Sequence, residues 1–68
     1  MRFAEWVIVR GRELGLNTDD PTHVPAYLVM EDMAKRGDLP DNVVTDYANL
    51  LQVTPDELRR RALGEHVR

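Results

Sequence analysis

Apolar residues recur at helical spacing near the start of the chain. Phe3, Trp6, Val7 and Leu14 fall on one side of a 3.6-residue period, and Gly15 follows where a helix needs a left-handed C-terminal residue. This pattern predicts a first helix from Phe3 to Leu14.

Two features inside this segment act against a helix. The β-branched run at 7–9 locally prefers a strand, but the polar residues on either side of it do not alternate, so we favour a helix. Gly11 costs about 1 kcal/mol relative to alanine in a helix. It therefore predicts either a close approach of another group to the backbone or a locally weak helix.

The middle of the chain predicts a break followed by a second helical region. Turn and capping residues crowd positions 16–21, and Asp20 before Pro21 is typical of a helix start. Apolar residues then continue to a basic turn and Gly37, which indicate a helix end. Pro25 leaves two interpretations open. It lies in the first turn of one helix, or it separates a short helix at 20–24 from a second one.

The last third of the chain predicts two more helices. Residues 38–42 combine a proline with acids that favour the positive end of a helix dipole. A wide apolar stripe follows, formed by Val43, Val44, Tyr47, Ala48, Leu50 and Leu51. Thr54 and Glu57 have capping-box spacing, with Pro55 at the first helical position, so a last helix is predicted from Pro55 to Leu63, ending at Gly64.

These segments predict an all-α fold, a compact bundle of four to five short helices in a single domain of residues 1–68. The composition, 43% hydrophobic and 31% charged, is that of a folded domain. Because a chain of 68 residues buries only about 60% of its unfolded surface, we expect a partner or self-association to add stability.

The residue types limit the chemistry. The chain has no serine, no cysteine and no glycine-rich phosphate loop, which removes the usual nucleophiles and thiolate metal ligands. His23 and His66 lie in different segments and are interpreted as surface residues. Most carboxylates stand where helix caps and first turns favour them. We predict that the protein is not an enzyme and has no cofactor and no metal site.

Location follows from hydropathy. No apolar stretch approaches the roughly 20 residues that span a membrane, and residues 1–5 lack the core of a signal peptide. We expect a cytoplasmic protein without a membrane partner.

The charge balance counts against binding to nucleic acid by bulk electrostatics. Nine basic and twelve acidic residues give a net charge of −3. The triplet Arg59, Arg60 and Arg61 nevertheless concentrates positive charge near the end of the chain. Two interpretations stay open: a solvated face that complements a helix C-terminus, or contact with phosphate.

The segment from Tyr47 to Leu58 resembles a helix-turn-helix of bacterial and phage regulators. In a first register, Gly37, Pro40, the alanine-leucine helix and Val-Thr-Pro-Asp-Glu-Leu are similar to the end of the lambda-repressor-like (XRE/Cro) fold. Glu13-Leu14-Gly15-Leu16 is similar to the end of that family's first helix. The resemblance implies two further helices between Leu16 and Gly37.

This first register implies where DNA would be contacted. Thr22, His23 and Tyr27 would lie nearest the bases, whereas Lys35 and Arg36 would meet phosphate. Glu31 and Asp32, on the same helix, must face away from DNA or be paired, because phosphate repels an unpaired carboxylate.

In a second register, the helix-turn-helix itself lies at the end of the chain, with Gln52 in place of the usual turn glycine. Its alanine, turn valine, helix cap and core leucine are then Ala48, Val53, Thr54 and Leu58. The arginine triplet then belongs to the recognition helix, although Asp56 and Glu57 stand where base contacts normally begin. We favour the first register.

The resemblance implies a sequence-specific regulator of transcription, a Cro-like repressor that binds double-stranded DNA as a homodimer and occludes a promoter. The four aromatic residues Phe3, Trp6, Tyr27 and Tyr47 stand at positions compatible with a core, which we favour over a recognition surface. Dimerisation would bury apolar surface left exposed, such as Trp6 or Val67. The alternative is a small helical interaction module, such as a phage protein or antitoxin, that binds a host protein through a degenerate helix-turn-helix fold.

Overall fold

The computed structural model describes residues 2–64 and contains four α-helices in that range. They are α1 (Phe3–Glu13), α2 (Val24–Lys35), α3 (Asp41–Leu51) and α4 (Pro55–Ala62). No strand occurs between residues 2 and 64, so the predicted all-α fold is confirmed. Pro25 lies in the first turn of α2, preceded by turns at 18–23 rather than by a separate short helix.

Each of the four helices is followed closely by a residue with left-handed backbone geometry. Gly15 has φ 74°, Gly37 has φ 75°, Gln52 has φ 56° and Gly64 has φ 80°. After the first three, the next backbone N–H donates to the carbonyl five residues earlier, at 2.8, 2.8 and 3.0 Å. The predicted helix ends at the three glycines are confirmed, whereas at Gln52 the fold holds a side chain in a conformation that glycine adopts more easily.

Gly11 lies in the middle of α1 because another residue occupies the space of its missing side chain. The Thr18 hydroxyl donates to the carbonyls of Val7 at 3.1 Å and Ile8 at 3.3 Å. A methyl group on Gly11 would clash with the Thr18 hydroxyl oxygen and lie 2.7 Å from the Thr18 Cβ. Of the two explanations that the sequence allows for this glycine, close approach is confirmed.

The core is built around α1. Its largest fully buried side chains are Phe3, Val7, Val44, Leu51 and Leu58. Trp6 is also buried, at 7% exposure, and its ring lies 5.9 Å from that of Phe3. The core position predicted for Trp6 is therefore confirmed, and the suggestion that a second subunit would bury it is wrong, because α1 turns the ring into the core. Val67 lies outside the described residues.

The helices pack unevenly around this core. The backbone of α1 approaches α2, α3 and α4, and α4 also packs against α2 and α3, whereas the backbones of α2 and α3 do not approach each other. Only side chains cross that gap, where the rings of Tyr27 and Tyr47 meet edge to face with centroids 6.2 Å apart. The gap opens to the surface as a groove.

Candidate functional site

Every arginine between residues 2 and 64 lies within 4.0 Å of a carboxylate. The pairs are Arg2–Glu31, Arg10–Glu13, Arg12–Asp19, Arg36–Asp32, Arg59–Asp41, Arg60–Asp56 and Arg61–Glu57. Exposed pairs of this kind contribute little to stability. They do place a negative charge beside each guanidinium, which weakens the positive potential available to phosphate.

Each arginine of the α4 triplet contacts other residues of the fold. Arg59 also donates to the carbonyl of Leu39 at 3.5 Å, and the guanidinium of Arg61 lies 5.1 Å from the centre of the Trp6 ring, a cation–π contact. Arg60 is exposed and pairs with Asp56 one turn away at 3.1 Å. These contacts leave Arg60 as the most accessible of the three.

The residues that the first register assigns to DNA bases lie around the start of α2. Thr22 and His23 are exposed, and Thr22 donates its backbone N–H and its hydroxyl to the Asp20 carboxylate at 2.9 and 2.8 Å. These two hydrogen bonds lower the pKa of Asp20. Tyr27 is buried at 3% exposure, and its hydroxyl donates to the Thr18 carbonyl at 3.0 Å, so its side chain belongs to the core.

The residues assigned to phosphate lie at the other end of the same helix. Lys35 and Arg36 are exposed at the C-terminus of α2, and Arg36 pairs with Asp32 at 3.1 Å. Twelve residues at 1.5 Å per residue separate them from Thr22 and His23 by about 18 Å. The structure therefore does not bring the two predicted groups together.

Glu31 is paired, one of the two arrangements expected for it. Its carboxylate accepts a hydrogen bond from Arg2 at 2.9 Å and one from the backbone N–H of Phe3 at 3.4 Å. The Arg2 hydrogen bond, helped by the Phe3 N–H, lowers the pKa of Glu31 against the opposing effect of burial. The carboxylate thereby joins α2 to the first turn of α1.

A short turn joins α3 to α4. Thr54 accepts a hydrogen bond from the Glu57 N–H at 3.1 Å, as the capping-box spacing predicts. From α1, Arg10 donates to the carbonyls of Leu51 at 2.9 Å and Gln52 at 3.3 Å. Within residues 2–64 the α3–α4 turn is the shortest connection between helices. It lies where the second register expects the turn of a helix-turn-helix. Between residues 16 and 37 the structure has one helix, where the first register expects two.

A largely apolar cavity of about 310 Å³ opens between the loop at 16–23 and α3. It is lined by Leu16, Asn17, Thr18, His23, Tyr27, Asp46, Tyr47 and Leu50; we call it the α3 groove. Leu50 is 47% exposed at its edge, and Tyr47 is half-buried. Large apolar side chains therefore meet solvent in a concave site, the form that most ligand sites take.

Acidic residues surround the α3 groove. Asp46 lines it from α3. Burial raises the pKa of Tyr27, and the neighbouring Tyr47, Asp20 and Asp19 raise it further. Asp19 and Asp20 belong to the loop between the lining residues Thr18 and His23, but are not lining residues themselves. No lysine or arginine is among the lining residues. The groove is thus apolar at its floor and negative at its rim.

The sequence analysis did not single out the α3 groove. It interpreted Tyr47 and Leu50 as parts of a core stripe and gave Leu16 and Asp46 no role in a site. The available signal was the width of the α3 stripe, because its apolar positions cover about 160° of the helix, more than the side that faces α1 and α4 can bury.

Between residues 2 and 64 no helix is long and apolar enough to cross a membrane. In the same range no three His, Asp or Glu side chains form a group that could hold a metal ion. Comparison of the chain with protein-family models, curated proteins and solved structures finds no match.

Proposed function

We propose that this protein is a small helical interaction module that binds another protein through the α3 groove. The observation that carries the proposal is a concave, largely apolar surface with no lysine or arginine in its lining. Two of its apolar side chains, Tyr47 and Leu50, meet solvent there. Covering such a surface is favourable at about 25 cal/mol per Å² of apolar area. The proposal includes the cytoplasmic location expected from the sequence.

The charge distribution supports a protein partner over nucleic acid. Binding to DNA depends largely on lysine and arginine contacts with phosphate, and each arginine of residues 2–64 already lies beside a carboxylate. Exchanging those carboxylates for phosphates would break seven ion pairs on a chain whose net charge is −3. A protein partner that covers apolar surface requires no such exchange.

The test is a pair of selections carried out on the same folded protein. One uses a displayed library of natural protein fragments, and the other uses random DNA duplexes at near-physiological salt. We expect a fragment that binds the protein and loses affinity when Leu50→Asp is introduced, with no enriched duplex. An enriched duplex together with no bound fragment would overturn the proposal.

A second candidate is the DNA-binding regulator, which is favoured by the geometry of α3, its turn and α4. Gln52 is left-handed where a helix-turn-helix has its glycine, and Thr54 caps the following helix. In this candidate a homodimer places two copies of α4 in successive major grooves. Arg60, the most accessible member of the triplet, would then contact phosphate or bases.

Salt dependence separates the two candidates. Each neutralised phosphate contributes about −0.9 to the slope of log affinity against log salt, whereas an interface dominated by apolar contacts changes much less. For the regulator, Arg60→Gln would weaken duplex binding and make the slope shallower by about one. For the interaction module, the same substitution leaves binding to a protein fragment unchanged.

A further inference from the structure

The floor of the α3 groove suits a single large apolar side chain. The edge-to-face pair of Tyr27 and Tyr47, with ring centroids 6.2 Å apart, forms its aromatic part, and Leu16 and Leu50 complete it. A volume of about 310 Å³ is at the low end of the range for small-molecule pockets. It admits one or two side chains of a peptide segment, whereas a folded surface would not enter it.

The rim carries negative charge from two different elements. Asp46 lines the groove from α3, while Asp19 and Asp20 belong to the opposite loop, beside the lining residue Thr18. Asp20 accepts hydrogen bonds from Thr22 at 2.9 and 2.8 Å, and Asp19 is held by Arg12 in an exposed pair at 3.5 Å. Asp46 has no ion pair with a basic side chain between residues 2 and 64. It is therefore the rim acid most available to a cation from outside.

This arrangement differs from the rest of the described surface. The other carboxylates of residues 2–64 that lack a basic partner are Glu5 and Asp38, and neither lines this groove. Other exposed apolar side chains, such as Val29, lie outside the groove, but at the groove the free carboxylate of Asp46 adjoins Tyr47 and Leu50. Such a site attracts a partner of opposite charge and excludes an acidic one.

From this charge complementarity we infer that the α3 groove binds a peptide segment of a partner protein in which a large apolar residue is flanked by lysine or arginine. The inference rests on the proposed function and names the class of partner. The apolar side chain would occupy the floor between Tyr47 and Leu50. The basic residues on its two sides would contact Asp46 and the loop aspartates.

The test uses the full 68-residue chain and a displayed library of random 12-residue peptides. We expect enriched peptides to share one large apolar residue with lysine or arginine on both sides. The affinity of a fluorescently labelled enriched peptide is then measured for three variants at exposed positions. Leu50→Asp blocks the floor and Asp46→Lys reverses the rim charge, whereas Val29→Asp is the matched control on α2, where Val29 is 55% exposed and does not line the groove.

We expect Leu50→Asp to weaken peptide binding at least tenfold and Asp46→Lys at least threefold, with Asp46→Lys also reducing the salt dependence. Val29→Asp should change affinity less than twofold. Circular dichroism of each variant checks that the helices are intact; Leu50→Ala, which introduces no charge, replaces Leu50→Asp if that variant unfolds, and should then weaken binding at least threefold.

Several results would overturn the inference. Enriched peptides without basic residues, or no enriched peptide from folded protein, would contradict it. Equal losses for Leu50→Asp and Val29→Asp would assign binding to another surface and would overturn both the inference and the α3 groove as the binding site of the proposed function. Concentration-dependent dimerisation that Leu50→Asp abolishes would assign the groove to a second copy of the chain. The proposed function survives a failed inference if natural protein fragments bind and lose affinity with Leu50→Asp, and it fails if the fragment selection recovers nothing.

Discussion

The two connections that precede helices α2 and α4 are held in different ways. The α3–α4 turn, residues 52–54, has its own local cap, in which Thr54 accepts from the Glu57 N–H three residues later, and Arg10 of α1 adds hydrogen bonds to the carbonyls of Leu51 and Gln52. The α1–α2 connection, residues 14–23, depends instead on Thr18, whose hydroxyl reaches back to α1 and whose carbonyl accepts from Tyr27 of α2. Local sequence signals specify the first connection, whereas the second requires α1 and α2 to be in place.

This difference bears on function. The α3–α4 turn is a compact unit of three residues between two helices. The longer connection lies away from α3, and the space between them is the α3 groove. The site therefore occurs where tertiary contacts, rather than local capping, determine the path of the chain.

The largest expected effect comes from filling the space at Gly11. Gly11→Ala places a methyl on the Thr18 hydroxyl, and overpacking of this kind costs about 1–3 kcal/mol, which outweighs the roughly 1 kcal/mol that alanine gains in helix propensity. Because the clash with Thr18 is severe, we expect a net loss of up to about 2 kcal/mol in the free energy of unfolding, measured by urea denaturation.

A double-mutant cycle with Thr18→Ala tests whether Thr18 is the cause. The loss from Gly11→Ala should be smaller when the Thr18 hydroxyl and methyl are absent. Additive losses would show that the two residues do not interact and would remove the tertiary explanation of this connection.

A second prediction concerns the contact between α2 and the start of α1. Glu31→Gln removes the charge that accepts from Arg2 and Phe3. Charge-assisted hydrogen bonds contribute about 1.5–3 kcal/mol, and the exposure of Arg2 reduces the expected loss to about 1 kcal/mol at pH 7.

The stability lost in Glu31→Gln should become smaller as the pH falls. Because the pKa of Glu31 is lowered in the folded state, its stabilisation is fully present above the ordinary glutamate pKa of about 4.3 and disappears as the pH falls through the lower folded value. Urea denaturation from pH 7 to pH 3 should show the wild-type and Glu31→Gln curves converging at the acid end. A constant difference over this range would contradict the assignment.

The α3–α4 turn should respond to loss of its cap. Thr54→Ala removes the acceptor for the Glu57 N–H, and such substitutions cost about 1 kcal/mol. Thr54→Ser, which keeps the hydroxyl, is the control and should recover most of the stability. If both variants lost the same amount, the cap would not be what stabilises this turn.

The smallest expected effect is a gain. Gln52→Gly relieves the left-handed geometry of Gln52, which has φ 56°, at the cost of a more flexible unfolded chain. We expect stability to increase by about 0.5 kcal/mol, seen as a higher thermal midpoint. Gln52→Val, with a β-branched side chain at the same position, should move the midpoint the other way.

The helices themselves were predictable because their signals are local. Capping residues, the glycines at 15 and 37 and the period of the apolar residues each act within a few positions of the backbone they stabilise. For the same reason Gly11 could be recognised as unusual from the sequence. Its partner Thr18 could not be identified, because the contact crosses a turn whose path depends on α2.

The candidate site was less predictable than the fold. The first register places Tyr27 nearest the DNA bases, whereas the structure buries it, with its hydroxyl donating to the Thr18 carbonyl. The sequence leaves the arginine triplet open between a solvated face and contact with phosphate, because it does not show which carboxylates lie beside the guanidinium groups. Asp41, for example, pairs with Arg59 from a different helix, and no local pattern contains that contact.

The sequence by itself determined the helical class, the helix ends and the capped turn before α4, since each depends on backbone hydrogen bonds and dihedral preferences within about five residues. Only the tertiary structure decided which apolar side chains stay uncovered. The backbones of α2 and α3 remain apart, so Tyr47 and Leu50 line a groove, although their spacing along α3 is that of core residues. Periodicity specifies a helix face, whereas burial depends on whether another element covers that face.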